Sequence, residues 1–228
     1  MSEIFDRLEK LLGKEAVDVL NSKTVMIFGI GGVGGYVTEA LCRAGIQNFV
    51  LIDNDTINES NLNRQIIALQ STLGKSKVEV MKQRILDINP QAMVEVKKEF
   101  VTPDILKNYN FENIDYVVDA IDNVTAKISL AVLSSQKIFK LISCMGTGNK
   151  LKPELFEITD IKKTSVCPLA KVIRKKLKEL GVEKLNVLYS KEEPININSN
   201  TPASISFTPS IAGLRIAEYV IKDFLNLN

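Results

Sequence analysis

The segment Thr24–Gln65, TVMIFGIGGVGGYVTEALCRAGIQNFVLIDNDTINESNLNRQ, decides how the rest of the chain is read. An apolar run of strand length, Val25–Phe28, meets a glycine cluster at Gly29, Gly31, Gly32, Gly34 and Gly35. A helical pattern follows from Tyr36 to Ala44 and is halted by Gly45; a second apolar run, Phe49–Ile52, ends on Asp53. This order of strand, glycine loop, helix, strand and acid is that of a nucleotide-binding unit. Glycines let the backbone turn tightly and come close to a phosphate, and the helix starting there aims unpaired N–H groups and its positive dipole end at the same point. Asp53 stands where a carboxylate can accept from both ribose hydroxyls. The spacing Gly29-x-Gly31-x-x-Gly34 serves NAD and ATP equally, so the residues after Asp53 must decide between them.

Downstream, Asn54–Ser71 is rich in Asn, Asp and Ser and begins as loop. It carries Asp55, Ser60, Asn61, Arg64 and Gln65 close behind Asp53. A nicotinamide site has no need of a fixed arginine here, whereas a guanidinium fork matches the oxygens of a triphosphate. A second helix is expected over Lys75–Ile88, with Val78, Met81, Ile85 and Ile88 as its apolar stripe. Lys75 and Lys77 fall in its first turn, against the helix dipole; a phosphate grip and an incidental charge are both open readings of Lys77. Strands are expected at Ala92–Lys97, Ile114–Ile121 and Ile138–Cys144, with Thr102 capping a short helix at Pro103 and a longer helix over Val124–Gln136. Asp122 and Asn123 close the Ile114–Ile121 strand: either one caps the next helix, or a carboxylate there holds Mg²⁺ with the phosphates.

The alternation over residues 24–144 predicts an α/β fold, a doubly wound, mostly parallel Rossmann-like sheet. The texture then changes. Lys152–Ile158 reads as a short antiparallel strand, and Lys162–Lys178 bears seven cations and no acid. Part of this basic segment is helical, with Leu169, Val172, Ile173 and Leu177 as the expected buried stripe. Such a segment is either a solvated face or a footprint for a phosphodiester backbone. Ser190–Ser204 reads as a polar loop, and Thr208-Pro209 as the cap of a final helix over Ser210–Leu225. At the other end, residues 1–22 read as a helical arm with Ile4, Leu8, Leu11 and Leu12 on one side and Arg7 on the other, interrupted at Gly13 and followed by a second short turn over Ala16–Leu20. The chain thus divides into an arm (1–22), a nucleotide-binding core (23–148) and a C-terminal extension (149–228) of one domain.

Composition excludes several chemistries. The 228 residues contain no histidine, which removes Ser-His-Asp and Cys-His nucleophiles and histidine zinc sites. The three cysteines, Cys42, Cys144 and Cys167, form no Cys-x-x-Cys pair. Cys42 and Cys144 are expected in the core, while Cys167 reads as a structural thiol or, in a segment that could be mobile, as one with a chemical role. The net charge of +2 does not by itself argue for nucleic acid. No apolar run approaches the ~18 residues of a membrane span, and the charged start MSEIFDRLEK lacks a signal region, so a cytoplasmic protein is expected.

These motifs together resemble the adenylating superfamily of ubiquitin-activating enzymes and sulfur-carrier-protein activators: Gly29-x-Gly31-Gly32-x-Gly34, Asp53-x-Asp55, Asn61-x-x-Arg64-Gln65, Lys77 and Asp122-Asn123 occur in that family's order. The resemblance implies ATP binding and AMP transfer to a carboxylate. In it Gly32 and its neighbours face the phosphates, Asp53 holds the ribose, Arg64 and Lys77 grip the polyphosphate, Asp122 binds Mg²⁺, and Ser60, Asn61 and Gln65 belong to the polar shell. Arg7 matches an arginine that the partner subunit supplies in trans, which implies a homodimer. Within the superfamily, Asn89-Pro90, Phe100–Asp104, Asp119–Asp122, Lys163–Ala170 and Tyr189–Glu192 resemble the tRNA threonylcarbamoyladenosine dehydratases. That branch implies a tRNA partner on the basic segment 162–178, and the sequence leaves open a monovalent cation. The alternative implied by the superfamily is activation of a small carrier protein at its carboxyl terminus.

Overall fold

A computed structural model describes residues 3–136, 139–199 and 201–227. Two short helices come first, α1 (Asp6–Leu12) and α2 (Lys14–Ser22), separated by Gly13 at φ +85°. Then follow β1 (Thr24–Phe28), α3 (Gly34–Arg43), β2 (Asn48–Ile52), α4 (Lys77–Ile88), β3 (Met93–Lys97), α5 (Pro103–Leu106), β4 (Tyr116–Asp119), α6 (Val124–Ser135) and β5 (Lys140–Cys144). The chain ends with β6 (Phe156–Asp160), α7 (Pro168–Glu179), β7 (Asn186–Ser190) and α8 (Phe207–Phe224).

The seven strands form one sheet in the order β3-β2-β1-β4-β5-β7-β6. All neighbours are parallel except β6, which runs antiparallel to β7. Side chains alternate across the pleat and both faces are buried, as parallel sheets require. Val25, Ile27, Leu51, Val118 and Ile142 pack with α2, α3, α4 and α8 on one face. Met26, Phe28, Val50, Ile52, Val117 and Leu141 pack with α6 and α7 on the other. Each such side chain contributes about 1.5–3 kcal/mol when fully buried. The strand order reverses between β1 and β4, and the crevice beyond their carboxyl ends is where such sheets take ligands.

Four expectations are corrected. The arm's stripe packs only in part: Leu11 is 79% exposed, while Leu8 lies against the core and Val17 and Leu20 of α2 are buried. The helix after Gly74 starts at Lys77, not Lys75. On α7 the buried side is Ala170, Ile173 and Leu177, and Val172 points to solvent. Thr208 caps nothing; α8 begins at Phe207, and the buried Thr208 hydroxyl donates to the Lys150 carbonyl at 3.0 Å. Ile138, expected to open a strand, lies outside the described residues.

Candidate active site

The glycine loop leaves β1 through Gly29, whose φ of +87° suits a residue without a Cβ. A Cβ there would stand 2.7 Å from the Ala120 carbonyl oxygen, so the loops after β1 and β4 touch backbone to backbone. The first helical residue of α3, Gly34, crosses Gly29 so closely that a Cβ would lie 1.8 Å from its oxygen. No side chain caps α3, and a helix start left uncapped beyond a strand's carboxyl end can receive an anion. Gly32 packs against Pro209 of α8 and against the Arg64 side chain, with would-be Cβ distances of 3.2 and 3.5 Å.

Asp53 holds this loop in shape. Its Oδ2 accepts from the Ile30 N–H at 2.7 Å and its Oδ1 from the Asp55 N–H at 2.8 Å. Burial pushes the Asp53 carboxyl above the usual aspartate range, against the pull of Lys77 and of the two amides. Each oxygen keeps a lone pair for a ribose hydroxyl. Asp55 in turn receives Lys77, Nζ to Oδ2 at 2.7 Å. The buried Asn61 accepts from the Asn58 N–H. Its carbonyl takes the N–H groups of Arg64 and Gln65, which sets both side chains toward the glycine loop. Arg64 Nη1 rests on the Ser60 carbonyl and on Asn63 Oδ1 at 2.7 and 2.9 Å. Gln65 is buried, its Oε1 unpartnered among the described residues, and its Nε2 lies 3.8 Å from where a Cβ of Gly31 would stand.

Of the two readings of the β4 end, the capping one is met. Asn123 caps α6, its Oδ1 accepting from the Ala126 N–H at 3.0 Å. Asp122 is exposed and without a hydrogen-bond partner among the described residues. No group of three or more carboxylate or thiol side chains gathers among the described residues. A single exposed carboxylate can hold Mg²⁺, which takes one or two carboxylates and completes its shell with phosphate and water.

Arg7 lies elsewhere. Leu8 beside it packs next to Gly45, at the far end of α3, and the ten residues of α3 put about 15 Å between there and the glycine loop. Within one chain Arg7 stays away from the other site residues. Cys167 precedes α7 and is 3% exposed, a structural position. Burial pushes the Cys42 and Cys144 thiols up to about 11 and about 12, which leaves them unreactive.

In the basic segment, Lys162 pairs with Glu183, Lys176 with Glu179, and Arg174 donates to Thr164. Lys171, Lys175 and Lys178 carry no ion pair among the described residues and fall on one stripe of α7. They border a groove of about 940 Å³ floored by Pro168, Val172, Leu177 and Val182.

Reading by motif takes in Asp119 as part of Asp119–Asp122 but passes over the cluster it forms with Lys127 and Ser143. Lys127 Nζ donates to Asp119 Oδ1 at 3.0 Å and to the Cys144 carbonyl at 2.7 Å, and Ser143 Oγ donates to Asp119 Oδ2 at 2.5 Å. The only signal in the sequence is a charged residue inside each of two apolar runs.

Comparison with known proteins places this geometry. The ThiF family model matches residues 5–227. The tRNA threonylcarbamoyladenosine dehydratase of Bacillus subtilis is 39% identical over 97% of this chain and 94% of its own length. That of Escherichia coli K12 is 39% identical over 79% of this chain and 68% of its own length. Crystal structures of the E. coli tRNA N6-threonylcarbamoyladenosine dehydratase superpose with TM-scores of 0.93 in complex with AMP and 0.90 in complex with ATP. Their sequence identities to this chain are 33% and 31%, and both alignments cover 98% of this chain and 94% of theirs. From the loop geometry and from a match that spans almost its whole length, the chain belongs to the ThiF family.

Proposed function

We propose that this protein is an ATP-dependent dehydratase that adenylates the carboxylate of threonylcarbamoyladenosine in tRNA and so closes that side chain into a ring. One observation carries the reading: Asp53, Lys77, Arg64 and Asp122 surround a single glycine loop, and among the described residues no enzyme nucleophile is placed beside them. Similarity to proteins solved with ATP and AMP supports it. The substrate carboxylate attacks the α-phosphorus of ATP and pyrophosphate leaves. The neighbouring carbamoyl group then attacks the activated carbonyl and AMP leaves, carrying the oxygen that dehydration removes. The second step is intramolecular, so high effective molarity replaces an enzyme base or thiol.

In this reading Asp53 binds the ribose and Asn61 and Gln65 support the phosphate side. Arg64 and Lys77 neutralise the polyphosphate, and Asp122 shares Mg²⁺ with it. The core 23–148 handles the nucleotide, and the extension 149–228 meets the RNA through Lys171, Lys175 and Lys178. Arg7 serves the site of a second copy, since its own lies across the length of α3, and the exposed Ile4 and Leu11 supply an apolar contact for that partner.

The test measures AMP release from ATP and Mg²⁺ with tRNA that bears or lacks threonylcarbamoyladenosine, followed by mass analysis of the nucleoside. AMP release and loss of one water only with the modified tRNA is the expected result. Pyrophosphate exchange driven by a carrier protein and indifferent to tRNA overturns it in favour of carrier activation.

A further inference from the structure

The buried group Asp119–Lys127–Ser143 sits directly beneath Asp122. Asp119 and Ser143 are register partners at the carboxyl ends of β4 and β5. Lys127 reaches them from the first turns of α6, one turn after the Asn123 cap. The side chains of Lys127 and Asp119 are 1% and 0% exposed. Every donor and acceptor has a use: the ammonium bonds Asp119 Oδ1, the Cys144 carbonyl and, at 3.4 Å, Ser143 Oγ. Asp119 accepts in addition from the Ile121 N–H at 3.2 Å.

Such a pair is a poor way to gain stability. Removing two charges from water costs several kcal/mol per ion, and apolar side chains of similar volume often serve the fold as well or better. What the group does uniquely is geometric. Through Ile121 it fixes the turn 120–123 that presents Asp122, and through the Cys144 carbonyl it ties that turn to the strand leading into Gly146–Gly148. Ala120 of the same turn is the residue against which Gly29 packs. The turn bearing Asp122 is therefore held from below by ionic bonds and from the side by the glycine loop.

We infer that Lys127, acting through Asp119 and Ser143, is a positioning residue that sets the Asp122 carboxylate for Mg²⁺·ATP. This rests on the ATP reading above. Residues 119, 127 and 143 touch neither nucleotide nor metal, so their loss should act on the metal-dependent part of binding and on kcat rather than on folding or on ATP itself.

The test uses the double variant Asp119→Asn/Lys127→Met, which removes both charges together and leaves no buried ion alone, and the milder Ser143→Ala. Thermal unfolding, AMP formation and calorimetric binding of a non-hydrolysable ATP analogue with and without Mg²⁺ are measured on the full chain. The double variant is expected to melt within about 5 °C of the unmodified protein and to lose about 100-fold in kcat. It should bind the analogue alone normally and lose most of the gain in affinity that Mg²⁺ brings. Ser143→Ala should show the same pattern at about fivefold. A folded double variant with unchanged kcat and unchanged Mg²⁺ gain overturns the inference. If the double variant does not fold, an unaltered Mg²⁺ gain in Ser143→Ala overturns it instead. Unmodified protein that binds the analogue but never forms AMP overturns the adenylation reading alone, and the Mg²⁺ gain still decides the role of Lys127.

Discussion

Lys77 Nζ lies 2.7 Å from Asp55 Oδ2, joining the first residue of α4 to the loop that follows β2. The lysine is buried and the aspartate half exposed, so the pair holds a cation ready at the crevice while one side stays open to a ligand. Lys77→Met should reduce AMP formation by about 10²–10³, the cost of losing one electrostatic donor. Arg64→Ala should cost about 10³–10⁵. Asp55→Ala, which removes only the holder, should cost far less than either. Single-turnover AMP formation at saturating ATP ranks the three, and normal turnover in the first two would remove the phosphate-gripping roles.

The distance from Arg7 to its own glycine loop makes a complementation experiment decisive. Arg7→Ala and Arg64→Ala proteins should each be inactive alone. Mixed in equal amounts and allowed to exchange subunits, they should recover about a quarter of full activity, because random pairing leaves one site in four intact when an isologous dimer shares its sites. An arginine acting within its own chain would give no recovery.

The three unpaired lysines of α7 should be visible in salt dependence. With Lys171, Lys175 and Lys178 all changed to alanine, the slope of log affinity for tRNA against log salt should become shallower by about 2, roughly 0.7 for each single-stranded phosphate no longer neutralised. ATP binding should not move. An unchanged slope would return the helix face to solvent.

Acid stability should be sensitive to Glu39, which Arg84 clasps through both oxygens at 2.6 and 3.0 Å while Arg43 adds a third bond at 2.7 Å. Burial works to raise the Glu39 pKa, but hydrogen bonding and charge from the two arginines outweigh it and hold the carboxyl below its ordinary 4.5. A depressed folded pKa means stability that is complete above the unfolded value and is lost as pH falls through the folded one. Urea midpoints should therefore decline as pH drops below 4.5. Glu39→Gln should cost about 1–3 kcal/mol at pH 7 and flatten that decline.

Gly213 of α8 faces Val33 and Tyr36 of the glycine loop and α3; a Cβ would stand 2.5 Å from the Val33 oxygen. Gly213→Ala should destabilise by about 1–3 kcal/mol through overpacking and weaken ATP binding along with it, since the displaced backbone is that of the loop. Calorimetric melting with and without ATP checks both effects.

Much of this was legible in the residues because the signal there is local. The five core strands, the loop after β1 and the acid after β2 each announce themselves within a dozen positions. What stayed hidden depends on residues far apart in the chain. β7, with the mixed run Asn186–Ser190, becomes a strand only because β5 offers an edge beside it. On α7 the helical period fits two faces, and the packing of Ile173 and Leu177 selects one. Lys127 looks like an ordinary helical cation until the register of β4 on β5 sets Asp119 opposite Ser143. Pro209 marks a helix start in sequence, yet in space it backs Gly32.

That last contact bears on how the protein is made. A chain leaving the ribosome folds from its N-terminal side first, and the residues proposed to bind ATP all precede the end of β5. The wall behind Gly32, however, belongs to a helix translated after all of them. The nascent protein therefore carries an unfinished phosphate loop through most of its synthesis, and competence for ATP arrives only when residues 207–224 have emerged and docked.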